Sequence, residues 1–311
     1  MTELNHRWTD AQINAAARAP AFAARCSADY RAAVAEAADR LFFRENKTIL
    51  MLAGPSASGK TTTAKLLKSR AAAQGRAAHV ISMDDFYRSK TAPGYPRDAH
   101  GEPDFDRPES LDLPLLRQCL AQLLAGDACA LPRYDFAAGL RLPETVRLQL
   151  GKTDLLIVEG LHALLPDVTE ALPSDRIGRV YVSVASCVYD AQGRVLLSAR
   201  TLRFLRRLVR DARDRSITPE RTFAGWQTVL RGEDRYLFPL RSLADVQLDS
   251  FHPCEPCILA SQAIRLLSEV QAPRYRTNAA KLCETLRRFH AADPALLPPA
   301  ALLHEFTGEG V

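Results

Sequence analysis

A glycine-rich segment behind a short apolar run is the feature that most limits what this 311-residue chain can fold into. The run TILMLA (48–53) leads into GPSASGKT (54–61), which fits the pattern G-x-x-x-x-G-K-[ST] and is followed by a helical pattern at 60–73. In such a strand–loop–helix unit, backbone amides and the positive end of the helix face phosphate oxygens. The sequence therefore predicts a phosphate-binding loop. Lys60 is expected to reach the β and γ phosphates of ATP, and the Thr61 hydroxyl to hold Mg²⁺.

The rest of the chain alternates between apolar runs and amphipathic stretches. Further runs lie at 79–83, 155–159, 180–184 and 244–248, and further helical patterns at 111–125 and 199–214. This alternation predicts an α/β fold, a P-loop NTPase-type parallel sheet with helices on both faces. Two extended pieces around Gly139 predict an inserted β-hairpin, and residues 88–110 hold too many Pro and Gly residues for a helix. Helical patterns at both ends predict N- and C-terminal extensions.

Composition excludes several classes of protein. The net charge of +5 is small for this length and is not concentrated in a block, so no nucleic-acid partner is expected. The chain has no signal-peptide pattern and no stretch of 18 apolar residues, so we expect no membrane partner and a cytoplasmic location. Seven scattered cysteines predict reduced thiols; Cys254 and Cys257 form a lone CxxC without a second pair of zinc ligands.

Acidic residues stand where two of the predicted strands end. Glu159 ends the run LLIVE, at the edge where the phosphate loop would lie, and is a candidate second Mg²⁺ ligand. Asp84 and Asp85 follow the strand at 79–83, and an attacking hydroxyl needs a carboxylate to orient it and accept its proton. We favour Asp84 because the strand exit directs it toward the edge that carries Lys60. Each acidic residue could also simply end a strand or cap a turn.

A basic helix is predicted in ARTLRFLRRLVRDARDR. Arg203, Arg206 or Arg207, and Arg210 share one face because they are spaced three to four residues apart, and leucines supply an apolar face. Arginine forks suit phosphate oxygens, and a mobile basic helix could close over ATP. A solvated amphipathic helix remains the alternative. The predicted ATP-binding residues are Gly54, Pro55, Ser56, Ala57, Ser58, Gly59, Lys60, Thr61, Thr62 and Arg210.

Several motifs, in order, resemble those of the uridine kinase and phosphoribulokinase family of P-loop kinases. They are GPSASGKTT, MDDFY, DFDRPES, LPRYDF, LIVEGLHAL and RTLRFLRRLVRD. The later pieces WQTVLRGEDRYLFP, ADVQLDS and LLHEFTGEG are similar to a bacterial nucleoside kinase subfamily whose members often carry an N-terminal threonyl-tRNA synthetase-like domain. We expect this chain to have only a helical arm at that position. The expected organisation is a helical arm (1–44), a P-loop kinase domain (45–250) and a helical C-terminal extension (251–311) packed on it.

The resemblance implies a role for each matching position. Asp84 would be the catalytic base and a Mg²⁺ partner, and Thr61 and Glu159 would complete the metal site. Asp106 would bind ribose hydroxyls, and an aromatic face could stack on a nucleobase. Lid arginines would close on the phosphates and the acceptor. The catalytic set is then Asp84, Lys60, Arg203 and Arg206, and the substrate-binding set is Tyr87, Asp106, Tyr134, Phe136, Arg141 and Arg203.

Three positions depart from the family pattern. Gly139 stands where pyrimidine-phosphorylating members have a His that reads the base, Arg107 replaces the usual His after the ribose-binding Asp106, and Leu202 replaces an acidic residue of the subfamily. Because glycine has no side chain to donate a hydrogen bond, base recognition must come from another residue or be absent. Arg141 is a candidate replacement.

The sequence thus predicts transfer of the γ-phosphoryl group of ATP to a primary hydroxyl of a small-molecule acceptor, best the 5′-OH of a ribonucleoside. An anionic acceptor such as a sugar phosphate is the nearest alternative, favoured if Arg107 and Arg141 form a basic pocket. A nucleotide-binding regulator without an acceptor is the alternative from another class. A homo-oligomer is compatible with the sequence, which does not determine the oligomeric state.

Overall fold

The computed structural model describes residues 7–98, 101–136 and 138–308. The strands are β1 (Trp8–Thr9), β2 (Ile49–Ala53), β3 (Ala78–Ser82), β4 (Cys129–Leu131), β5 (Tyr134–Asp135), β6 (Leu140–Arg141), β7 (Val146–Leu148), β8 (Leu155–Glu159), β9 (Ile177–Ser183), β10 (Val188–Tyr189), β11 (Val195–Leu197) and β12 (Val246–Asp249). The α-helices are α1 (Asp10–Ala17), α2 (Phe22–Ala38), α3 (Lys60–Ala73), α4 (Leu113–Ala125), α5 (Pro166–Thr169), α6 (Ala199–Asp214), α7 (Pro219–Gly232), α8 (Glu255–Ser268), α9 (Pro273–Leu286) and α10 (His304–Thr307). Two π-helical turns span Asp39–Arg44 and Glu233–Leu237.

The main sheet has five strands in the order β3-β8-β2-β9-β12. All four pairings are parallel, so the predicted parallel sheet is confirmed. Strands β2 and β8 are buried along their whole length, which explains why their sequences are continuous apolar runs. The carboxyl ends of all five strands lie at one edge, and the glycine-rich loop leaves the central strand β2 there.

Alternate residues of each strand point to opposite faces of the sheet, and each face carries its own core. Leu50 and Ile157 pack with residues of α2 and α3 on one face. Met51 and Val158 pack with residues of α4 on the other. Helices therefore cover both faces, as predicted.

The segment between α4 and β8 holds two antiparallel strand pairs, one inside the other in the sequence. Strands β4 and β7 form the base, and β5 and β6 form the tip. Gly139 lies in the turn that joins β5 to β6, with a φ of +71°. The predicted inserted hairpin is confirmed.

Helices also occupy both ends of the chain. Helices α1 and α2 precede β2, and α8, α9 and α10 follow β12. Apolar side chains from both ends, including Val34 and Phe306, join the core on the α3 face of the sheet. Within the described residues, no helix combines the length and the apolar content needed to cross a lipid bilayer.

Candidate active site

The phosphate-binding loop connects β2 to α3 and is shaped by glycines at two points. A Cβ atom on Gly54 would lie 2.2 Å from the carbonyl oxygen of Val182 in the neighbouring strand, so no larger residue fits there. Gly59 has a φ of +89° and caps the N-terminus of α3. Ala57 also adopts a left-handed conformation (φ 57°), which is unfavourable for a residue with a Cβ. The surrounding structure must therefore hold the loop in place.

Two buried ion pairs contact the backbone of this loop. Arg203 Nη1 and Nη2 lie 2.6 and 2.7 Å from the Glu233 carboxylate, and both side chains are at most 2% exposed. The same Arg203 donates to the carbonyl oxygen of Ser56 (3.0 Å), while Glu233 accepts the amide hydrogen of Ser56 (3.1 Å). Both polar groups of the Ser56 backbone are thus satisfied by this one pair.

The second pair joins Arg206 to Glu255. Its two hydrogen bonds measure 2.8 and 2.6 Å, and Arg206 also donates to the Ala57 carbonyl at 3.3 Å. The sequence predicts that Arg203 and Arg206 contact phosphates from a lid. In the structure, the guanidinium groups of both contact carbonyl oxygens of the loop.

Other arginines of the same region face the site. Arg207 Nη1 donates to the Ser56 hydroxyl at 2.9 Å. Arg210 and Arg215 exert an electrostatic effect on Asp84, and Arg207 exerts one on Asp106. The buried carboxylate of Asp211 contacts all three, at 3.1 Å from Arg207, 2.9 Å from Arg210 and 3.5 Å from Arg215.

Two of these three arginines were not among the predicted site residues. Arg207 lies next to Arg206 on α6, and helical spacing did not separate the two. Arg215 follows the last residue of the helix, so the periodic pattern gave no signal for it.

Lys60 exerts an electrostatic effect on three carboxylates that come from three segments. Burial raises the pKa of Asp84, and the positive charge of Lys60 opposes that shift. Burial raises the pKa of Asp106 to about 6, against the effects of Arg207 and Lys60. Burial, together with the charge of Asp84, raises the pKa of Glu159 to about 7, again against Lys60. Lys60 is thus the common cationic neighbour of all three.

The sheet itself positions two of these acids. Ser82, the last residue of β3, lies opposite Glu159 in β8 and donates a hydrogen bond of 2.7 Å to its carboxylate. Asp84 follows two residues later, in a short 3₁₀ turn. Asp85 points elsewhere: its carboxylate accepts the amide hydrogen of Tyr134 (3.3 Å) and lies 3.5 Å from Arg133.

The donor set of this edge fits Mg²⁺. Thr61 offers an exposed hydroxyl, and Asp84 and Glu159 offer carboxylates whose mutual repulsion a cation would relieve. Among the residues that the structure describes, no group of three His, Cys, Asp or Glu side chains gathers as a metal site.

Aromatic rings line the region between residues 88–110 and the hairpin. The Tyr87 ring lies 5.5 Å from Tyr134, 5.6 Å from Phe136 and 5.4 Å from Phe105, between ring centroids. Phe136 remains 45% exposed, and Arg215 lies over its ring at 5.8 Å. The Tyr87 hydroxyl is committed to the Phe105 carbonyl (2.9 Å). The exposed ring of Phe136 therefore offers a stacking surface close to the arginine cluster.

The predicted polar acceptor residues do not all face this region. Arg141 donates to Asp112 (3.0 Å) and to the carbonyls of Phe86 and Tyr87, which ties the hairpin to the 3₁₀ turn. Arg107 pairs with Glu109 at 3.2 Å.

The side chain of Lys90 occupies the space beside Gly139. A Cβ atom at Gly139 would lie 2.4 Å from Lys90 Cδ and 2.8 Å from its Nζ. The backbone amide of Lys90 also donates to the Gly139 carbonyl at 3.0 Å. The side chain of Lys90 thus lies beside the position where the family resemblance predicts that a base-reading side chain is missing.

The chain is similar to several known proteins. The model of the Phosphoribulokinase / Uridine kinase family matches residues 49–254. A uridine kinase from Lactobacillus helveticus is 29% identical over 203 residues, which cover 65% of this chain and 86% of that protein. A uridine kinase from Staphylococcus aureus is 30% identical over 201 residues, with 64% and 86% covered. The solved structure of D-glycerate 3-kinase from Cryptococcus neoformans is 19% identical, covers 67% of this chain and 87% of its own, and has a TM-score of 0.43.

The fold and the phosphate-binding site are those of a P-loop kinase. The chain belongs to the phosphoribulokinase/uridine kinase family.

Proposed function

We propose that this kinase transfers the γ-phosphoryl group of ATP to a primary hydroxyl, the 5′-OH of a ribonucleoside. One observation carries the proposal. Lys60 of the phosphate loop is the shared electrostatic neighbour of Asp84, Asp106 and Glu159, which come from three separate segments. A small acceptor bound near Lys60 can therefore contact the triphosphate of ATP, the general base and a metal-binding carboxylate at the same time.

In this proposal Asp84 orients the acceptor hydroxyl and accepts its proton. Burial raises the pKa of Asp84, which makes its carboxylate a stronger proton acceptor than an exposed aspartate. Lys60 and the cluster of Arg207, Arg210 and Arg215 stabilise charge on the transferring group. Mg²⁺, held by Thr61, Asp84 and Glu159, would supply further neutralisation of phosphate charge when it is bound.

The acceptor lies against the aromatic rings. Phe136, whose ring is nearly half exposed, stacks on the base, and Tyr87 and Tyr134 support it from behind. Asp106, half-buried beside Arg207, binds the ribose hydroxyls. A carboxylate with two acceptor oxygens suits a vicinal diol.

The test is a screen of nucleosides and sugar phosphates for acceptor-dependent release of ADP by the purified protein. Turnover with at least one ribonucleoside, and its loss in Lys60→Ala, is the expected result. Phe136→Ala should then raise the acceptor KM by about tenfold, because base–aromatic stacking contributes about 1–3 kcal/mol per base. Phe289→Ala, which changes a buried residue just after α9 and outside the proposed site, controls for general damage. Turnover with sugar phosphates and with no nucleoside would refute the nucleoside assignment.

One observation favours a second candidate, an acceptor that carries a negative charge. Arg107 and Arg141 pair with Glu109 and Asp112, so they do not supply a free basic pocket. The ammonium group of Lys90, however, lies beside Gly139 in the hairpin turn. If the acceptor is a sugar phosphate, Lys90→Ala should raise its KM at least about tenfold, as expected for loss of a charged hydrogen bond. A nucleoside KM should change much less.

A further inference from the structure

The C-terminal segment places a carboxylate on the first turn of the phosphate-loop helix. Glu305 Oε2 accepts a hydrogen bond from the Thr62 amide (3.1 Å) and another from the Thr62 hydroxyl (2.7 Å). Thr62 is the third residue of α3, so its amide is one of those that a helix leaves without an internal partner. Such amides, with the helix dipole, form the anion-binding end of the loop.

The backbone around Glu305 is a fixed part of the core. Leu303 and Phe306 are fully buried, and Arg213 donates to the Phe306 carbonyl at 2.9 Å. Leu302 packs against the phosphate loop, where a Cβ atom on Gly59 would lie 2.4 Å from its Cδ1. The segment therefore cannot leave the loop without exposing its core residues. The side chain of Glu305 is half-exposed, so it can rotate without moving this backbone.

Glu305 also adds negative charge to the phosphate site. Its charge contributes to the raised pKa of Glu159, after the larger effects of burial and Asp84. A triphosphate that binds along the N-terminus of α3 meets this charge and competes for the same amide. The sequence motif LLHEFTGEG, which the proposed reaction leaves without a role, carries this residue.

We propose that Glu305 is a donor-site residue that competes with the nucleotide for the Thr62 amide and thereby sets the affinity for the donor. When the nucleotide binds, the Glu305 side chain rotates away and a phosphate oxygen takes its place. The inference rests on the proposed donor site and is independent of which acceptor is used.

The experiment measures the Kd of ATP by titration calorimetry, without any acceptor, for the full chain, for Lys60→Ala and for three further variants. Glu305→Ala removes both the charge and the hydrogen bonds, and should tighten ATP binding about fivefold to twentyfold. Glu305→Gln keeps an oxygen that can accept both hydrogen bonds but removes the charge, and should tighten binding about twofold to fivefold. Glu284→Gln, an exposed carboxylate on α9, changes the net charge equally and should leave the Kd within about twofold.

Thermal unfolding of each variant without nucleotide checks that the fold is retained. Unchanged or weaker ATP binding in both Glu305 variants overturns the inference. If the unmodified protein still binds ATP and Lys60→Ala does not, the assignment of the donor site stands all the same. If the unmodified protein binds ATP no more tightly than Lys60→Ala does, the proposed donor site is refuted, and the inference with it.

Discussion

Arg206 and Glu255 form a doubly hydrogen-bonded ion pair from which solvent is entirely excluded. Their bonds measure 2.8 and 2.6 Å, and neither side chain has any exposed surface. Arg206 further donates to the Ser250 carbonyl (2.7 Å) and to that of Ala57 (3.3 Å). One guanidinium group thus links α6, the end of β12, α8 and the phosphate loop. Its role is to fix the left-handed conformation of Ala57 and so the shape of the loop.

Removal of Arg206 should therefore be costly. Arg206→Met leaves the Glu255 carboxylate buried without a counter-charge, and we expect a loss of about 3–5 kcal/mol in the free energy of unfolding. The measurement is urea-induced unfolding. The matched control is Arg265→Met, which breaks an exposed pair with Glu269 and should cost less than about 1 kcal/mol. Equal effects of the two substitutions would show that the buried pair has no special structural role.

Asp84→Asn should abolish most turnover without weakening ATP binding. Loss of a positioned general base typically lowers kcat by about 10²–10⁴-fold, and we expect an effect in this range with the ATP Kd within a few-fold of the unmodified protein. Asp85→Asn is the matched control. Because Asp85 holds the Tyr134 amide, its loss should act through the hairpin on the acceptor KM more than on kcat. Turnover of Asp84→Asn within a few-fold of normal would show that the base assignment is wrong.

Much of the fold could be predicted from the sequence because strong local signals agree with it. The pattern at 60–73 coincides with α3, and that at 199–214 with α6. The strand predicted at 155–159 coincides with β8. Buried parallel strands are nearly continuous apolar runs, and the glycine-rich loop fixes where the central strand ends. These features depend on residues that are close in the chain.

The direction of individual arginines on α6 could not be predicted in the same way. Arg203 pairs with Glu233, which lies 30 residues further along the chain. Arg206 pairs with Glu255, which lies 49 residues further along. Helical spacing shows which residues share a face of the helix. It does not show which of them forms an ion pair with a carboxylate far away in the sequence. Glu305 and Thr62 are 243 residues apart in the sequence, so their contact could not be predicted for the same reason.

Glu159 should make the stability of the free protein depend on pH. Its pKa rises from an ordinary 4.5 to about 7 on folding, because burial and Asp84 disfavour its charged form. Between these values the folded state binds more protons than the unfolded state, so the free energy of unfolding falls as pH rises from about 4.5 to 7. The contribution is fully lost above that window and is at most about 3 kcal/mol.

The measurement compares urea unfolding of the unmodified protein and Glu159→Gln at pH 5 and pH 8. The pKa values of Asp106 and Asp84 are raised as well, so the difference between the two proteins reports Glu159 together with its effect on Asp84. Glu159→Gln should lose less stability across the window than the unmodified protein. An identical pH dependence in both would mean that the Glu159 carboxyl titrates as an exposed group does.

The carboxylate of Asp211 is 1% exposed and contacts Arg207, Arg210 and Arg215. Without its charge, three guanidinium groups repel one another and no longer share a fixed position in front of Asp84 and Asp106. Preorganised charge acts mainly on the transition state, so Asp211→Asn should lower kcat by about 10–100-fold while changing the acceptor KM by less than about threefold.

The control for this prediction is Asp214→Asn, which breaks the exposed pair with Arg213 on the same helix and should leave kcat nearly unchanged. Because Asp211 is buried, each kcat is referred to the folded fraction at the assay temperature. A double substitution distinguishes positioning from simple loss of stability. If Asp211 acts through its arginines, adding Arg215→Gln to Asp211→Asn should lower kcat less than Arg215→Gln does alone. Strictly multiplicative effects on kcat would indicate that Asp211 and Arg215 act independently.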